Sequence, residues 1–229
     1  MFKEVVTDVF FDLDHTLWDF EKNSAITFNK ILLDNKVDIK LEDFLKVYIP
    51  INLEYWKLFR EEKITKEELR FFRLKKVFDT LEYKVQDQLV HKLSDDYIDH
   101  LSSFNHLFTN AIEILDYLKP NYQLHIITNG FQAVQERKLK NSNIREYFSN
   151  VVDSEMAGVK KPNPEIFKLA LCKANTTPRK SIMIGDSIEA DILGAKAVGF
   201  HTLHFNAHNE ERHDYCDMIH DLNEIKKYL

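Results

Sequence analysis

The chain has 229 residues, of which 44% are hydrophobic and 30% charged, enough to bury one large α/β domain or a domain carrying a smaller insertion. Its formal net charge of −6 excludes general attraction to nucleic acid or an anionic membrane, so a phosphate-bearing ligand must find its positive charge locally. No apolar run is long enough to cross a bilayer, and no nucleic-acid or membrane partner is expected.

The start Met-Phe-Lys-Glu lacks the apolar core of a signal peptide. The two cysteines, Cys172 and Cys216, have no paired metal spacing, which argues against a disulfide scaffold and for a reducing, cytoplasmic setting. Val5, Val6, Val9, Phe10 and Phe11 form a run too continuous for a strand with one wet face, and predict a central parallel strand. It ends in Asp12-Leu13-Asp14-His15-Thr16. In an extended chain two carboxylates two residues apart point to one side, roughly 7 Å from each other, although Asp is also common at helix caps and turns.

From Asp19 to about residue 104 the sequence is rich in helix formers and nearly free of glycine, which predicts a helical insertion. Asn23 is placed to cap a helix reaching about Asn35, and a second helix runs from Leu41 to Tyr48 before Pro50 restarts the chain. Leu53, Tyr55, Trp56, Leu58 and Phe59 leave a wide apolar stripe over 51–60. Thr65-Lys66-Glu67-Glu68 has the form of a capping box opening a helix through about Leu81. The Arg70, Arg73, Lys75 and Lys76 side chains on that helix are expected on a solvated face.

After Asn105, helix and strand alternate, the signature of βαβ units on a parallel sheet. A helix from Thr109 to Lys119 is stopped by Pro120, and a strand from Gln123 ends in Thr128-Asn129-Gly130, where a following helix at 131–141 makes an anion cradle. A strand near Val151 and Val152 comes next. Gly158-Val159-Lys160-Lys161-Pro162-Asn163-Pro164 is a stiffened basic loop, with Pro164 suited to the first turn of another helix. The strand at 181–184 runs into Gly185-Asp186-Ser187-Ile188-Glu189-Ala190-Asp191, and a last strand covers 201–205. His204, His208, His213, Cys216 and His220 in the tail do not make a recognised zinc pattern, and are expected on a polar surface. In a parallel sheet all strands end on one edge, so Asp12, Asp14, Thr128, Lys161, Asp186 and Asp191 can converge.

On those residues the sequence resembles the haloacid dehalogenase-like superfamily of phosphohydrolases. The matching motifs are Asp-x-Asp-x-Thr at 12–16, Thr128, Lys161, and Gly-Asp-x-x-x-x-Asp at 185–191. The resemblance implies an α/β fold, with a Rossmann-like core of parallel sheet over residues 1–18 and 104–229 and an inserted helical C1 cap over 19–103. It also implies that Asp12 attacks phosphorus to form an aspartyl phosphate, and that Asp14 serves as general acid and then base. Thr128, Lys161 and the backbone of Asn129 would bind phosphate. Mg²⁺ would be held by Asp12, the backbone carbonyl of Asp14, and Asp186, with Asp191 either binding it through water or orienting Lys161.

Dehalogenases of the superfamily lack the acid corresponding to Asp14, so its presence favours phosphoryl transfer. A closer similarity to the pyrimidine 5′-nucleotidase branch runs through residues 12–20, Ile51-Asn52, Tyr55-Trp56, 66–70 with Arg73, and 127–131. It implies a nucleoside monophosphate substrate, with Trp18, Phe20 and Trp56 either stacking on the base or packing between cap and core. A sugar-phosphate or phosphoglycolate phosphatase, a phosphomutase, a dehalogenase and a non-catalytic ligand-binding relative are the alternatives. Monomer and homodimer are equally open.

Overall fold

In the computed structural model, which describes residues 2–229, strand β1 (Asp8–Phe11) is buried along its whole length. A strand covered on both faces has no polar face to present, hence the run Val-Phe-Phe. Four helices follow: α1 (Phe20–Asp34), α2 (Leu41–Arg60), α3 (Lys66–Thr80) and α4 (Asp87–Leu101). Strands and helices then alternate through α5 (Ala111–Leu118), β2 (Gln123–Thr128), α6 (Gln132–Asn141) and β3 (Phe148–Asp153). The single-turn α7 (Ser154–Ala157), α8 (Pro164–Ala174), β4 (Ser181–Gly185), α9 (Gly194–Val198), β5 (His201–Phe205) and β6 (Asp217–Ile219) complete the order. A π-helical turn, Ile188–Leu193, leads directly into α9.

The six strands form one parallel sheet in the order β3-β2-β1-β4-β5-β6, a Rossmann-like arrangement flanked by helices. Register pairs Phe11 with Ile126 on one side and with Ile184 on the other, so the residues just beyond β1, β2 and β4 emerge together at one edge. Phe10, Ile127, Val152, Ile166, Phe167 and Met183 fill the core beneath that edge. Burying each such side chain contributes about 1.5–3 kcal/mol, and the edge therefore rests on a rigid base.

The chain divides into two compact units, one joining the segment up to Phe20 with Asn105–Leu229, the other being Glu21–Phe104. The second unit is helical and has its own aromatic core. The ring of Phe28 lies 4.7 Å from Phe44, 4.4 Å from Tyr48 and 4.6 Å from Tyr97. Among the described residues no helix is long and apolar enough to cross a membrane.

The expected capping box is present: Thr65 Oγ1 accepts from the Glu68 N–H, and Glu68 accepts from the Thr65 N–H. Three local expectations are corrected. Asn23 is not the N-cap of α1, which begins at Phe20; it is buried inside the helix, its carbonyl accepting from Thr27 Oγ1. Pro50 does not interrupt α2, which continues to Arg60. An interior proline costs about 3 kcal/mol, but Phe44, Tyr48, Ile51 and Phe59 are buried on both sides of it, and their burial outweighs one lost hydrogen bond. Arg73 is not solvated. It is buried, donating to Asn52 Oδ1 at 2.8 Å with its guanidinium 5.1 Å from the Tyr97 ring centre. Helix α4 and strand β6 had no separate signal in the reading above.

Candidate active site

Pairing of β1 with β4 extends one residue past the strand, the Asp12 N–H donating to Ile184 O at 2.9 Å. This fixes Asp12 at the sheet edge, where it is only 8% exposed. The chain then turns tightly, Leu17 and Trp18 both donating to Leu13 O, with His15 in the left-handed region at φ 62°.

Lys161 arrives from the loop before α8 and is 2% exposed. Its ammonium donates to Asp12 Oδ1 at 2.5 Å and to the Ile127 carbonyl at 2.6 Å, and forms an ion pair with Asp191 Oδ1 at 2.6 Å. The loop is strapped to the end of β2 by Asn129, whose side chain accepts from the Lys161 N–H at 2.7 Å and donates to the Lys161 carbonyl at 2.9 Å. Asn129 thus positions Lys161 with its side chain. Asp191 sits on the π-helical turn, and its second oxygen, Oδ2, accepts from the Ser187 N–H at 3.0 Å. Asp186 Oδ1 accepts from Thr16 at 3.1 Å, and His208 lies 3.6 Å from Oδ2.

These groups strongly perturb one another. Burial, with repulsion from Asp191 and Asp186, pushes the Asp12 carboxyl well above the usual carboxylate range against the opposing pull of Lys161. Burial alone would lower Lys161, yet Asp12 and Asp191 hold it above the ordinary lysine range. Burial and Asp186 raise Asp191, Lys161 opposing them. Asp186 goes the other way: burial would raise it, but the neighbouring His208, His15 and Lys161 bring it below its ordinary value.

Asp14 and Thr128 belong to the same constellation through two side chains that the sequence reading did not single out. Lys138 Nζ lies 2.5 Å from Asp14 Oδ1, and Gln135 Nε2 donates to Asp14 Oδ2 at 2.9 Å and to Thr128 Oγ1 at 2.8 Å. Both come from α6 and both are buried. A third omission is His204. Expected on a polar surface, it is fully buried on β5, with Nε2 2.8 Å from the Asp186 carbonyl and Nδ1 2.8 Å from His213 Nε2.

Oxygen ligand atoms of Asp12, Asp186 and Asp191 all lie within 4.8 Å of one another, a grouping able to hold a metal ion. With Asp14 the edge carries four carboxylates against the two ammonium groups of Lys161 and Lys138, leaving a formal excess of two negative charges. A hard divalent cation with oxygen ligands fits that donor set and that charge.

A parallel Rossmann-like sheet that gathers paired aspartates, a threonine, a lysine and a further acid at one strand edge defines a hydrolase site of known kind. The chain belongs to the haloacid dehalogenase-like hydrolases, whose family profile matches residues 9–199. It is 33% identical over 205 residues to the pyrimidine 5′-nucleotidase YjjG of Escherichia coli K12, covering 89% of this chain and 88% of that protein. It is 32% identical over 205 residues to the pyrimidine 5′-nucleotidase PynA of Streptococcus pneumoniae, covering 89% and 85%. Among solved structures, the magnesium-bound crystal structure of YfnB from Bacillus subtilis, a protein assigned to the HAD hydrolases, matches with a TM-score of 0.88 at 25% identity over 98% of each chain.

Proposed function

We propose that this chain is a magnesium-dependent phosphomonoesterase working through a phosphorylated Asp12, and that its substrates are pyrimidine nucleoside 5′-monophosphates. The observation that carries the reading is the pair at the end of β1, Asp12 bonded to buried Lys161 and Asp14 held two residues later by α6. A nucleophile with an acid beside it is what transfer of phosphorus from an alkoxide requires.

In the first step an Asp12 oxygen bonds to phosphorus while the bond from phosphorus to the ester oxygen breaks, and that oxygen takes a proton from Asp14. In the second, Asp14 removes a proton from water, the water oxygen bonds to phosphorus, and the bond to Asp12 breaks to release inorganic phosphate. Lys161 and Thr128 stabilise the charge on the non-bridging oxygens. A bound magnesium ion supplies the positive charge that keeps Asp12 ionised and screens the acids from the phosphate. Asp12, Asp186 and the Asp14 backbone carbonyl would hold it. One oxygen of Asp191 is ion-paired with Lys161 and the other accepts from the Ser187 N–H, which supports an orienting role for it. The helical insertion serves as the cap that reads the leaving group.

Support for the pyrimidine nucleotide comes from the two nucleotidase relatives, each matched over more than four-fifths of both chains. The test is kcat/KM for uridine, thymidine, cytidine, adenosine and guanosine monophosphates beside a panel of sugar phosphates and phosphoglycolate. Pyrimidine nucleotides rank first under this reading. A sugar phosphate in that place overturns the nucleotidase assignment and leaves the phosphomonoesterase standing.

A further inference from the structure

Helix α6 carries its buried residues at Val134, Gln135, Lys138 and Leu139, flanked by the buried caps Phe131 and Ser142, the spacing of a core-facing stripe with a glutamine and a lysine in its middle. A lysine at such a place costs free energy unless its charge is paired. Lys138 is 2% exposed, and its ammonium sits 4.4 Å from the ring centre of Trp18 and 5.4 Å from that of Phe20, with the Asp14 carboxylate at 2.5 Å. The aromatic rings lie beside the buried ammonium and add cation–π attraction. Gln135, one turn earlier, takes the other oxygen of Asp14, so the carboxylate is gripped on both sides from one rigid helix.

Gln135 does a second thing. Thr128 Oγ1 accepts from Gln135 Nε2 at 2.8 Å and from the Gly130 N–H at 3.1 Å. A hydroxyl has two lone pairs and one proton, and with both lone pairs used the proton is what remains for an incoming oxyanion. Gly130 is matched to this arrangement, since a Cβ there would fall 2.3 Å from Gln135 Cδ.

We infer that Lys138 and Gln135 are positioning residues for the reaction: Lys138 with Gln135 aims Asp14 at the leaving oxygen, and Gln135 sets Thr128 as a donor to the phosphoryl group. The inference rests on Asp14 being the acid, and alkyl and aryl esters separate the two ideas. An alkoxide needs a proton to leave, whereas the phenolate of p-nitrophenyl phosphate does not. Aiming an acid therefore acts on the ratio of kcat/KM between the two, and setting Thr128 acts on both.

The experiment measures kcat/KM for p-nitrophenyl phosphate and for the alkyl phosphate that the substrate panel ranks first, in wild type, Asp14→Asn, Lys138→Met and Gln135→Met. Lys138→Met lowers the alkyl-to-aryl ratio by about tenfold or more and Asp14→Asn lowers it further, in line with the share of rate that a placed general acid supplies. Gln135→Met lowers the aryl ester as well, by about tenfold. If Lys138→Met does not fold, as judged by its circular dichroism melt, Lys138→Gln replaces it with the same expected direction. A ratio unchanged in the Lys138 variant but lowered in Asp14→Asn overturns the aiming role alone. A ratio unchanged in Asp14→Asn overturns the acid reading and this inference with it. An aryl ester untouched by Gln135→Met overturns the role assigned through Thr128.

Discussion

Gly185 and Asp191 compete for the same space: a Cβ on Gly185 would lie 2.3 Å from Asp191 Oδ2. The glycine that ends β4 is therefore what lets Asp191 reach back over the strand to the Lys161 ammonium. Gly185→Ala is expected to displace Asp191, costing about 1–3 kcal/mol as an overpacked core position does, and to loosen Lys161 from the site. Thermal melts and kcat together check this. A variant that melted earlier but kept wild-type kcat would show that Lys161 does not depend on Asp191.

Asp12→Asn is expected to abolish turnover while the fold survives. Lys161 keeps Asp191 and the Ile127 carbonyl as partners, so the substitution does not strand a buried charge. Beryllofluoride with magnesium mimics a phosphorylated aspartate and should stabilise wild type against heat but leave the variant unchanged. Steady phosphatase activity in pure Asp12→Asn would remove the covalent mechanism.

Magnesium binding separates the two acids that follow β4. Asp186→Asn is expected to weaken the magnesium Kd by more than about tenfold, because a ligating carboxylate is lost. Asp191→Asn should weaken it less and lower kcat more, because Asp191 is ion-paired with Lys161 and accepts from the Ser187 N–H. Calorimetric titration of magnesium without substrate reads the first effect apart from the chemistry. The reverse order would make Asp191 a metal ligand.

The parts of this site that were legible in the sequence are those whose signal is local. Asp12, Thr128 and Asp186 each close or follow a short strand of mostly apolar residues, and a buried parallel strand announces itself by such a run. Gln135 and Lys138 were half visible: they occupy core-facing positions of a helix, where a polar residue calls for a partner, but the partner is more than a hundred residues away in Asp14. His204 was not visible, since its role depends on the carbonyl of Asp186 and on a loop that folds back to bring His213 beside it. Pro50 misled because the local rule for proline is correct and tertiary burial overrides it.

Away from the strand ends that carry the candidate site, His125 offers a pH test of stability. It is 2% exposed on β2, with Nε2 3.0 Å from Asp8 Oδ1 and Nδ1 3.1 Å from Asn150 Nδ2. That pattern suits a neutral ring, Nε2–H donating to Asp8 and Nδ1 accepting from Asn150. Burial lowers its pKa below the ordinary 6.5, and the hydrogen bond and charge of Asp8, which act upward, do not cancel it. In the window below 6.5 the unfolded chain therefore binds more protons at this residue than the folded one. His125 leaves stability undiminished above that window and subtracts from it as pH falls through it, with a slope of at most about 1.4 kcal/mol per pH unit. His125→Gln keeps a donor for Asp8 and cannot titrate. Urea unfolding of both proteins from about pH 7 down to about pH 5 should give a steeper loss for wild type than for the variant. Parallel losses would mean that His125 binds its proton equally well in both states, and that Asp8 balances the burial.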